Sequence, residues 1–379
     1  MVTTTLAAAQ RDTTDGRADN VVEVRDLHVE FETKLGTVRA VNGVSLDVPR
    51  GKVIGVVGES GCGKSQTAFA IMQLIPPPGQ ITKGQIIFRP KDGPPVDLLT
   101  YGRNSDEMRR IRGRHISMIF QEPMTALNPV YTVGDQVMEA ILLHQTSDRR
   151  EAQERAVEIL SKVGLPNPRR LLTMYPHQLS GGMRQRAMIA LALSCEPDLL
   201  LADEPTTALD VTTQAQILDV MRELQSEIGM SIMFITHNLG VVAQMCDEVA
   251  VMYLGRIVEH ASVEELFDDP KHPYTRALMR SIPRLGSSRH TRLNVIEGSV
   301  PSAYARIPGC PFHPRCPVAI PGVCDTFEPV LRAVNSAEVS CFLYHNPDGS
   351  PAKHLEVSVA EAGAVAGSSA AGTVQPAQA

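Results

Sequence analysis

Short apolar runs rich in β-branched residues alternate with longer amphipathic segments along most of the chain. Four of these runs are bounded by polar or glycine-rich residues, and each predicts a buried strand: 53–57, 115–120, 199–202 and 231–236. Residues 133–163 carry apolar side chains at helical spacing and predict a helical insert. Strands that alternate with helices in this way indicate an α/β fold with a largely parallel sheet.

Changes in composition divide the chain. Residues 1–20 and 349–379 are dominated by small and polar residues without apolar periodicity, so we expect both ends to be disordered. The α/β pattern occupies residues 21–267, with the helical insert at about 125–185. After it the chain becomes rich in Pro, Cys and His and loses the alternation, so residues 268–348 predict a small C-terminal extension.

Charge and hydropathy narrow the classes of function. The chain has 379 residues, with 36 Lys and Arg against 42 Asp and Glu, a net charge of −6. This mildly acidic balance argues against a protein that binds nucleic acid through its overall charge. No apolar stretch approaches the roughly 18–20 residues of a membrane-spanning helix, and the first residues lack the pattern of a secretory signal. We therefore expect a chain that is neither exported nor embedded in a membrane by its own means.

Residues 58–65 form a G-x-x-x-x-G-K-S motif, which follows the predicted strand 53–57 and precedes a helical stretch. This is the pattern of a phosphate-binding loop, in which glycines let backbone N–H groups point at phosphate oxygens and the helix N-terminus adds its positive dipole. Lys64 is expected to reach the β- and γ-phosphates of ATP, and Ser65 to coordinate Mg²⁺. The predicted nucleotide-binding residues of the loop are Gly58, Glu59, Ser60, Gly61, Cys62, Gly63, Lys64 and Ser65.

Polar residues follow each of the other three predicted strands. They are Gln121, the pair Asp203 and Glu204, and His237. Ligands of open parallel sheets bind at the carboxyl edge of the strands, where these side chains emerge. We expect Asp203 and Gln121 to join Ser65 around Mg²⁺, and Glu204 to orient or deprotonate the water that attacks the γ-phosphate. Gln121 and His237 fit a γ-phosphate sensor and a switch residue of the catalytic site, beside Lys64.

The segment 179–186, Leu-Ser-Gly-Gly-Met-Arg-Gln-Arg, resembles the signature motif of ATP-binding cassette (ABC) proteins, and Ala208-Leu-Asp210 resembles their D-loop. The resemblance covers about residues 21–260 and implies a P-loop ABC ATPase cassette with a RecA-like core and a helical subdomain. In this superfamily the signature residues, here Ser180, Gly181 and Gly182, act on the nucleotide held by the opposite subunit. Because each motif occurs once, the resemblance implies a head-to-tail pair with a second cassette.

Three further segments resemble the ATPase subunits of the peptide/nickel importer family: 121–134, 272–278 and 309–317. This resemblance implies an ATPase that powers uptake of di- or oligopeptides at the cytoplasmic face of the cell membrane. The implied partners are a homologous ATPase chain, two membrane permease subunits and an extracytoplasmic solute-binding protein. In the family the permease docks after the position of Gln121. This chain carries the apolar Met124 and Leu127 there, and exposed side chains at these positions would suit a docking surface.

Other interpretations stay open. Peptides are the leading expectation for this family, and an importer of nickel or another small solute is the alternative. An exporter's ATPase subunit is disfavoured by the late extension. A soluble ABC ATPase that acts on nucleic acid usually carries two cassettes, long coiled coils or zinc-knuckle insertions, which this sequence lacks. The aromatic residue that stacks on adenine in ABC proteins is also open, since Phe31 is the aromatic candidate but Leu35 lies nearer the expected place.

The extension contains four cysteines, at 310, 316, 324 and 341, with prolines in the connecting segments. Four thiolates can bind one iron–sulfur cluster or one tetrahedral metal ion, and disulfides or free thiols are the alternatives. Proteins similar to this one carry a [4Fe–4S] cluster in this region. The resemblance therefore implies a cluster bound by Cys310, Cys316, Cys324 and Cys341, with zinc as the alternative.

Overall fold

The protein is represented by a computed structural model that describes residues 19–121, 126–207, 209–281 and 296–352. The ends expected to be disordered lie almost wholly outside the described residues, as do Met124 and Ala208. None of the helices in the described ranges is both long and apolar enough to cross a bilayer.

Two sheets form the framework. A four-stranded antiparallel sheet has the order β2-β1-β4-β5, and an eight-stranded sheet has the order β11-β12-β10-β9-β3-β8-β7-β6. In the larger sheet the five strands from β9 to β6 are parallel to one another, and the other three are antiparallel. The strands are β1 (Asn20–Thr33), β2 (Gly36–Pro49), β3 (Val53–Val57), β4 (Gly79–Phe88), β5 (Val96–Asp97), β6 (Ile116–Ile119), β7 (Leu199–Asp203), β8 (Ser231–Ile235), β9 (Glu248–Tyr253), β10 (Arg256–Ser262), β11 (Arg332–Val334) and β12 (Ala337–Val339).

Helices occupy both the α/β part and the region between β6 and β7. Short 3₁₀ turns lie at Leu98–Thr100, Pro176–Gln178 and His313–Arg315. The α-helices are α1 (Lys64–Ile71), α2 (Asp106–Ile111), α3 (Val133–His144), α4 (Arg149–Lys162), α5 (Pro168–Leu171), α6 (Gly181–Leu193), α7 (Val211–Ile228), α8 (Leu239–Met245), α9 (Val263–Asp268) and α10 (Pro273–Arg280).

The four predicted strands are confirmed to within one residue at each end as β3, β6, β7 and β8. Every residue of β3, β7 and β8 is buried, because the parallel part of the sheet is covered on both faces. Successive side chains point to opposite faces, so Leu200 packs in one hydrophobic cluster and Leu201 in the other. The sheet therefore separates two large cores.

The helical insert packs on one of these cores. In α3 the residues Val133, Val137 and Ile141 are spaced four apart and fully buried, which is the spacing of one helix face. The helix begins after Thr132, whose hydroxyl accepts a hydrogen bond from Asp135 N at 3.1 Å. Apolar residues at helical spacing in 133–163 thus predicted helical structure correctly, although this segment forms two helices, α3 and α4, with a break between them.

The C-terminal extension is joined to the large sheet. Strand β12 pairs with β10, with Glu259 opposite Val339, and β11 then pairs with β12. The apolar side chains of the extension pack in one cluster with those of β9, β10, α8 and α10, including Phe312, Tyr253 and Tyr274. Stability of the extension and of this sheet edge is therefore shared.

His260 of β10 links the strands on either side of it. Its Nε2 lies 3.1 Å from Glu248 Oε2 of β9, and its Nδ1 lies 3.7 Å from Glu338 Oε2 of β12. Burial alone lowers the pKa of this imidazole, but the two carboxylates outweigh that effect and raise its pKa to about 9. The imidazolium is therefore an ionic link between the extension and the sheet at neutral pH.

We predict that His260 makes stability depend on pH above neutrality. Because its pKa in the folded chain is raised from 6.5 to about 9, the stabilisation is fully present below pH 6.5 and is lost as pH rises through 9. The loss should reach roughly 3 kcal/mol, at about 1.4 kcal/mol per pKa unit. Urea unfolding of the wild type and of His260→Gln at pH 6 and pH 10 measures it. A difference between the two proteins that is the same at both pH values would contradict the prediction.

Candidate nucleotide-binding site

The phosphate-binding motif lies between β3 and α1, as its sequence context predicted. Two of its glycines are required by close approaches of the backbone. A Cβ on Gly58, where φ is +152°, would lie 2.2 Å from Met252 O, and one on Gly63, where φ is +104°, would lie 2.1 Å from Ala40 O. Strands β9 and β2 thus press against the two ends of the loop, and only glycine fits at either contact.

Lys64 is folded back into this loop. Its Nζ donates hydrogen bonds to the carbonyl oxygens of Gly58, at 2.9 Å, and Glu59, at 3.1 Å. Ser60 and Gly61 at the crest of the loop are exposed, whereas Cys62 is buried with its thiol turned inward. Burial raises the pKa of the Cys62 thiol, so this residue contributes its backbone to the loop and remains protonated.

Asp203 ends β7 beside the loop. Its side chain is buried and accepts a hydrogen bond from Ser65. Burial raises the pKa of Asp203, the Ser65 hydrogen bond opposes this, and the neighbouring Glu204 raises it further. Its Oδ1 is buried without a hydrogen-bond partner among the described residues. A buried, unpaired carboxylate oxygen beside a serine hydroxyl is the donor set that suits Mg²⁺.

Glu204 is the centre of a small polar cluster. Its Oε1 accepts a hydrogen bond from His237 Nδ1 at 2.9 Å. Its Oε2 accepts from Gln121 Nε2 at 3.3 Å and from Thr207 Oγ1 at 2.9 Å. Burial raises the pKa of Glu204, but these hydrogen bonds outweigh it and hold the pKa below its ordinary value. Glu204 is therefore ionised at neutral pH and can accept a hydrogen bond from a water molecule.

The backbone at Glu204 is also unusual. Its φ is +48°, in the left-handed region that costs a residue with a Cβ about 1 kcal/mol or more. Its N–H donates to Ile235 O of the neighbouring strand β8 at 2.9 Å, which fixes this conformation. The turn directs the carboxylate toward the ends of β6 and β8, so Gln121 and His237 meet it there.

The signature segment forms the start of α6. The Ser180 hydroxyl accepts a hydrogen bond from Met183 N at 3.3 Å and caps the helix. Ser180 and Gly181 are exposed, and a Cβ on Gly181 would meet nothing within 4 Å. Behind them, the buried Gln185 donates to Pro205 O, next to Glu204. The helix start is thus open to solvent while its first turn is tied to the acidic strand.

The segment after Gln121 is only partly as expected. Leu127 is buried at 2% exposure, so the expectation of an exposed side chain is wrong for this residue. Val130 and Tyr131 are instead 71% and 56% exposed. The exposed apolar surface therefore lies a few residues further along the chain than the sequence suggested.

Several contacting residues had no assigned role in the sequence analysis. Thr207 donates to Glu204, and Tyr274 and Arg315 both contact Glu59 in the phosphate loop. The last two lie in the segments 272–278 and 309–317, which served only as indicators of a family. An aromatic and a basic residue within these two segments were the available sequence signal for the contacts. The spacing of residues along the chain does not show which side chains contact a loop more than 200 residues away.

The candidates for adenine stacking differ in position. Phe31 is partly buried and packs against a hydrophobic cluster and Gly79, where a Cβ would be 2.5 Å from its ring. Leu35 is 82% exposed at the tip of the β1–β2 hairpin. Tyr304 of the extension reaches the same hairpin, with its hydroxyl 3.5 Å from Thr33 Oγ1. Tyr304 is an aromatic residue at this hairpin that the sequence did not indicate.

The predicted [4Fe–4S] cluster is wrong, and so is the alternative of zinc. Within the described ranges, which include all four late cysteines, no three His, Cys, Asp or Glu side chains are grouped so that they could hold a metal ion. A cysteine binds a metal ion as its thiolate. Burial raises the pKa of Cys310 and of Cys316 to about 11 and also raises that of Cys341, which disfavours this form. All four are free cysteines: Cys310 and Cys324 are buried in the core of the extension, and Cys316 and Cys341 are partly buried against it.

Comparisons with known proteins agree with the motifs. The family model described as ABC transporter matches residues 41–207, and the one described as oligopeptide/dipeptide transporter, C-terminal region, matches residues 258–324. The dipeptide transport ATP-binding protein DppD of Bacillus subtilis is 50% identical over 329 residues, which are 86% of this chain and 95% of the relative. The oligopeptide transport ATP-binding protein OppD of the same organism is 46% identical, over 88% of this chain and 91% of the relative.

Solved structures show the same cassette. The dimeric ATP-binding cassette MJ0796, bound to ADP and Pi, is 26% identical with a TM-score of 0.56, and the match covers 64% of this chain and 98% of that protein. The cbiO1 protein of Clostridium perfringens, part of an ABC transporter complex, is 27% identical with a TM-score of 0.55, over 66% and 92%. The fold class and the family inferred from the motifs are confirmed: the chain belongs to the ATP-hydrolysing subunits of ABC transporters, in the branch that carries the oligopeptide/dipeptide transporter C-terminal region.

Proposed function

We propose that this chain powers the uptake of di- or oligopeptides through two membrane permease subunits, at the cytoplasmic face of the membrane. The observation that carries the ATPase part is the convergence of Gln121, Glu204 and His237 at the sheet edge beside the phosphate loop. The cargo rests on the similarity to DppD and OppD, whose names give dipeptide and oligopeptide transport.

The loop provides the phosphate site. Backbone N–H groups from Ser60 to Ser65 surround the phosphates, and Lys64 exchanges its bonds to Gly58 O and Glu59 O for phosphate oxygens. Ser65, Asp203 and Gln121 would hold Mg²⁺, and the buried, unpaired Asp203 Oδ1 supports this assignment. When bound, this ion supplies positive charge that neutralises the phosphate oxygens.

Glu204 positions the attacking water. Its lowered pKa keeps the carboxylate ionised, so it accepts a hydrogen bond from the water and takes its proton as the water oxygen bonds to the γ-phosphorus. The bond from that phosphorus to the β–γ bridging oxygen breaks in the same reaction, and ADP is the leaving group. His237 and Gln121 hold the carboxylate from either side and are placed to sense the γ-phosphate. Loss of the γ-phosphate would change both contacts, which gives the site a switch.

The open start of α6 supports a head-to-tail pair. Helix α6 has 13 residues, and its N-terminus is exposed. Its start, with Ser180, Gly181 and Gly182, offers N–H groups to an anion on a second chain. A homologous cassette is the partner we favour. The exposed Val130 and Tyr131, beside the segment after Gln121, supply apolar area for a permease helix. A solute-binding protein outside the membrane would deliver the peptide to the complex.

We predict that Glu204→Gln retains ATP binding but lowers turnover by about 10²- to 10⁴-fold, because the water loses its proton acceptor. The closed pair should then accumulate with ATP, since opening follows hydrolysis. Phosphate release and light scattering, measured with and without ATP, report the two effects. Glu223→Gln, an exposed carboxylate on α7, is the matched control and should behave as wild type. Wild-type turnover by Glu204→Gln would remove Glu204 from this role.

We predict that cells lacking this chain lose uptake of labelled di- and tripeptides, because the permease has no ATPase to close and open it. Re-expression of the wild type should restore uptake, whereas Glu204→Gln should not. Labelled nickel uptake, measured in the same strains, separates the two cargoes. Normal peptide uptake together with lost nickel uptake would replace the peptide assignment by the small-solute alternative.

A further inference from the structure

The C-terminal extension contacts the phosphate loop through one acidic residue. Glu59 is the second residue of the loop, and Arg315 lies in the 3₁₀ turn His313–Arg315 of the extension. Arg315 Nη1 lies 2.8 Å from Glu59 Oε2, and Arg315 Nη2 lies 3.2 Å from Glu59 Oε1. Two parallel N–H···O bonds between a guanidinium and a carboxylate form the strong, orientation-specific type of ion pair.

The guanidinium of Arg315 is held firmly. Its side chain is only 4% exposed, against 23% for Glu59. Its Nη1 also donates to Tyr253 Oη at 3.3 Å, and its Nε donates to Glu297 O at 3.2 Å. Every nitrogen of the guanidinium therefore has an acceptor, as a buried cation requires.

The backbone of Glu59 is held by a second contact. Its N–H donates to the hydroxyl of Tyr274 at 2.9 Å. Tyr274 is fully buried, and its ring packs 4.7 Å from that of Tyr253 and 5.5 Å from that of Phe312 in the extension. The buried Glu259 accepts the N–H groups of the two residues that precede α10, which fixes the start of the helix carrying Tyr274.

These contacts affect the binding of the triphosphate because Glu59 places a negative charge in the loop that binds the phosphates. The loop's own cation is also close, since Lys64 Nζ donates to Glu59 O at 3.1 Å. An unpaired Glu59 carboxylate would repel the triphosphate and compete with it for the Lys64 ammonium. With Arg315 on its two oxygens, the carboxylate is neutralised and turned toward the extension.

We propose that Arg315 is a positioning residue for ATP: it neutralises Glu59 and, with Tyr274, fixes the phosphate loop, so that the C-terminal extension sets the nucleotide affinity of the cassette. The inference rests on the assignment of ATP to this loop. It gives the extension a role in the chain's own ATP site, separate from any contact with a permease.

The test is an affinity measurement on the full-length chain. Titration calorimetry with ATP and Mg²⁺ should show that Arg315→Ala raises the Kd about tenfold, which corresponds to the roughly 1.4 kcal/mol expected from a charge-assisted pair. In steady-state turnover the KM for ATP should rise by a similar factor, with kcat changed less than about threefold. Glu328→Gln is the matched control, because it weakens another ion pair of the extension, to Arg256 at 2.9 Å, that does not touch the loop. Its Kd should equal that of the wild type.

A double variant separates neutralisation from simple docking of the extension. Adding Glu59→Gln to Arg315→Ala removes the unpaired charge, so the Kd should return to within about threefold of the wild type. A double variant that binds as weakly as Arg315→Ala, or a single variant with an unchanged Kd, would overturn the proposal. If Arg315→Ala does not fold, as judged by circular dichroism, Arg315→Gln is measured with the same expectations. A wild type that binds no ATP would instead contradict the assignment of the loop.

Discussion

Four neighbouring parallel strands end at the same edge of the sheet, and the site depends on that adjacency. The order β3-β8-β7-β6 places the phosphate loop, His237, Glu204 and Gln121 on consecutive strands. The strands themselves are buried on both faces, so most of their side chains are apolar. Polar residues become possible only where each strand emerges. Because neighbouring strands are hydrogen-bonded in register, these residues come together at the edge of the sheet. His237 and Gln121 each form a hydrogen bond with Glu204.

This edge is also the part that the sequence predicted best. A buried parallel strand is a short apolar run, and the residue that follows it is visible in the sequence. The strands, to within one residue at each end, and the positions of Gln121, Glu204 and His237 just after them follow from that pattern, whereas the strand order that makes these residues neighbours comes from the structure. What the pattern does not contain is the conformation of the turn. The positive φ of Glu204 and the hydrogen bond from Thr207 depend on β8 and the loop around them, so no local signal indicated them.

The extension shows the opposite case. Its four cysteines suggested a metal because their count and proximity in sequence were conspicuous, yet spacing in a loop-rich segment does not show whether side chains converge. Cys310 and Cys324 are buried in a cluster with Tyr274 and Phe312, Cys316 and Cys341 pack against it, and no metal-binding group forms among the described residues. Arg315, one residue before Cys316, belongs to no comparable group of similar residues in the sequence. Its partner Glu59 lies 256 residues earlier, and the pairing of β12 with β10 and the shared hydrophobic cluster bring the extension to the loop.

A buried ion pair of this kind is weak evidence for stability, because desolvation of the two charges offsets their attraction. Two apolar side chains could join the extension to the loop at no greater cost. An acidic residue in a phosphate loop is harder to explain as packing, since its charge opposes the ligand. The pair is more readily understood as a means of holding the loop in one conformation while removing that charge. In the proposed arrangement the back of the ATP site is completed within one chain, by Arg315 and Tyr274, and its open front would be closed by the exposed start of α6 on a second cassette. Nucleotide affinity would then be a property of the single chain, whereas turnover would require both cassettes.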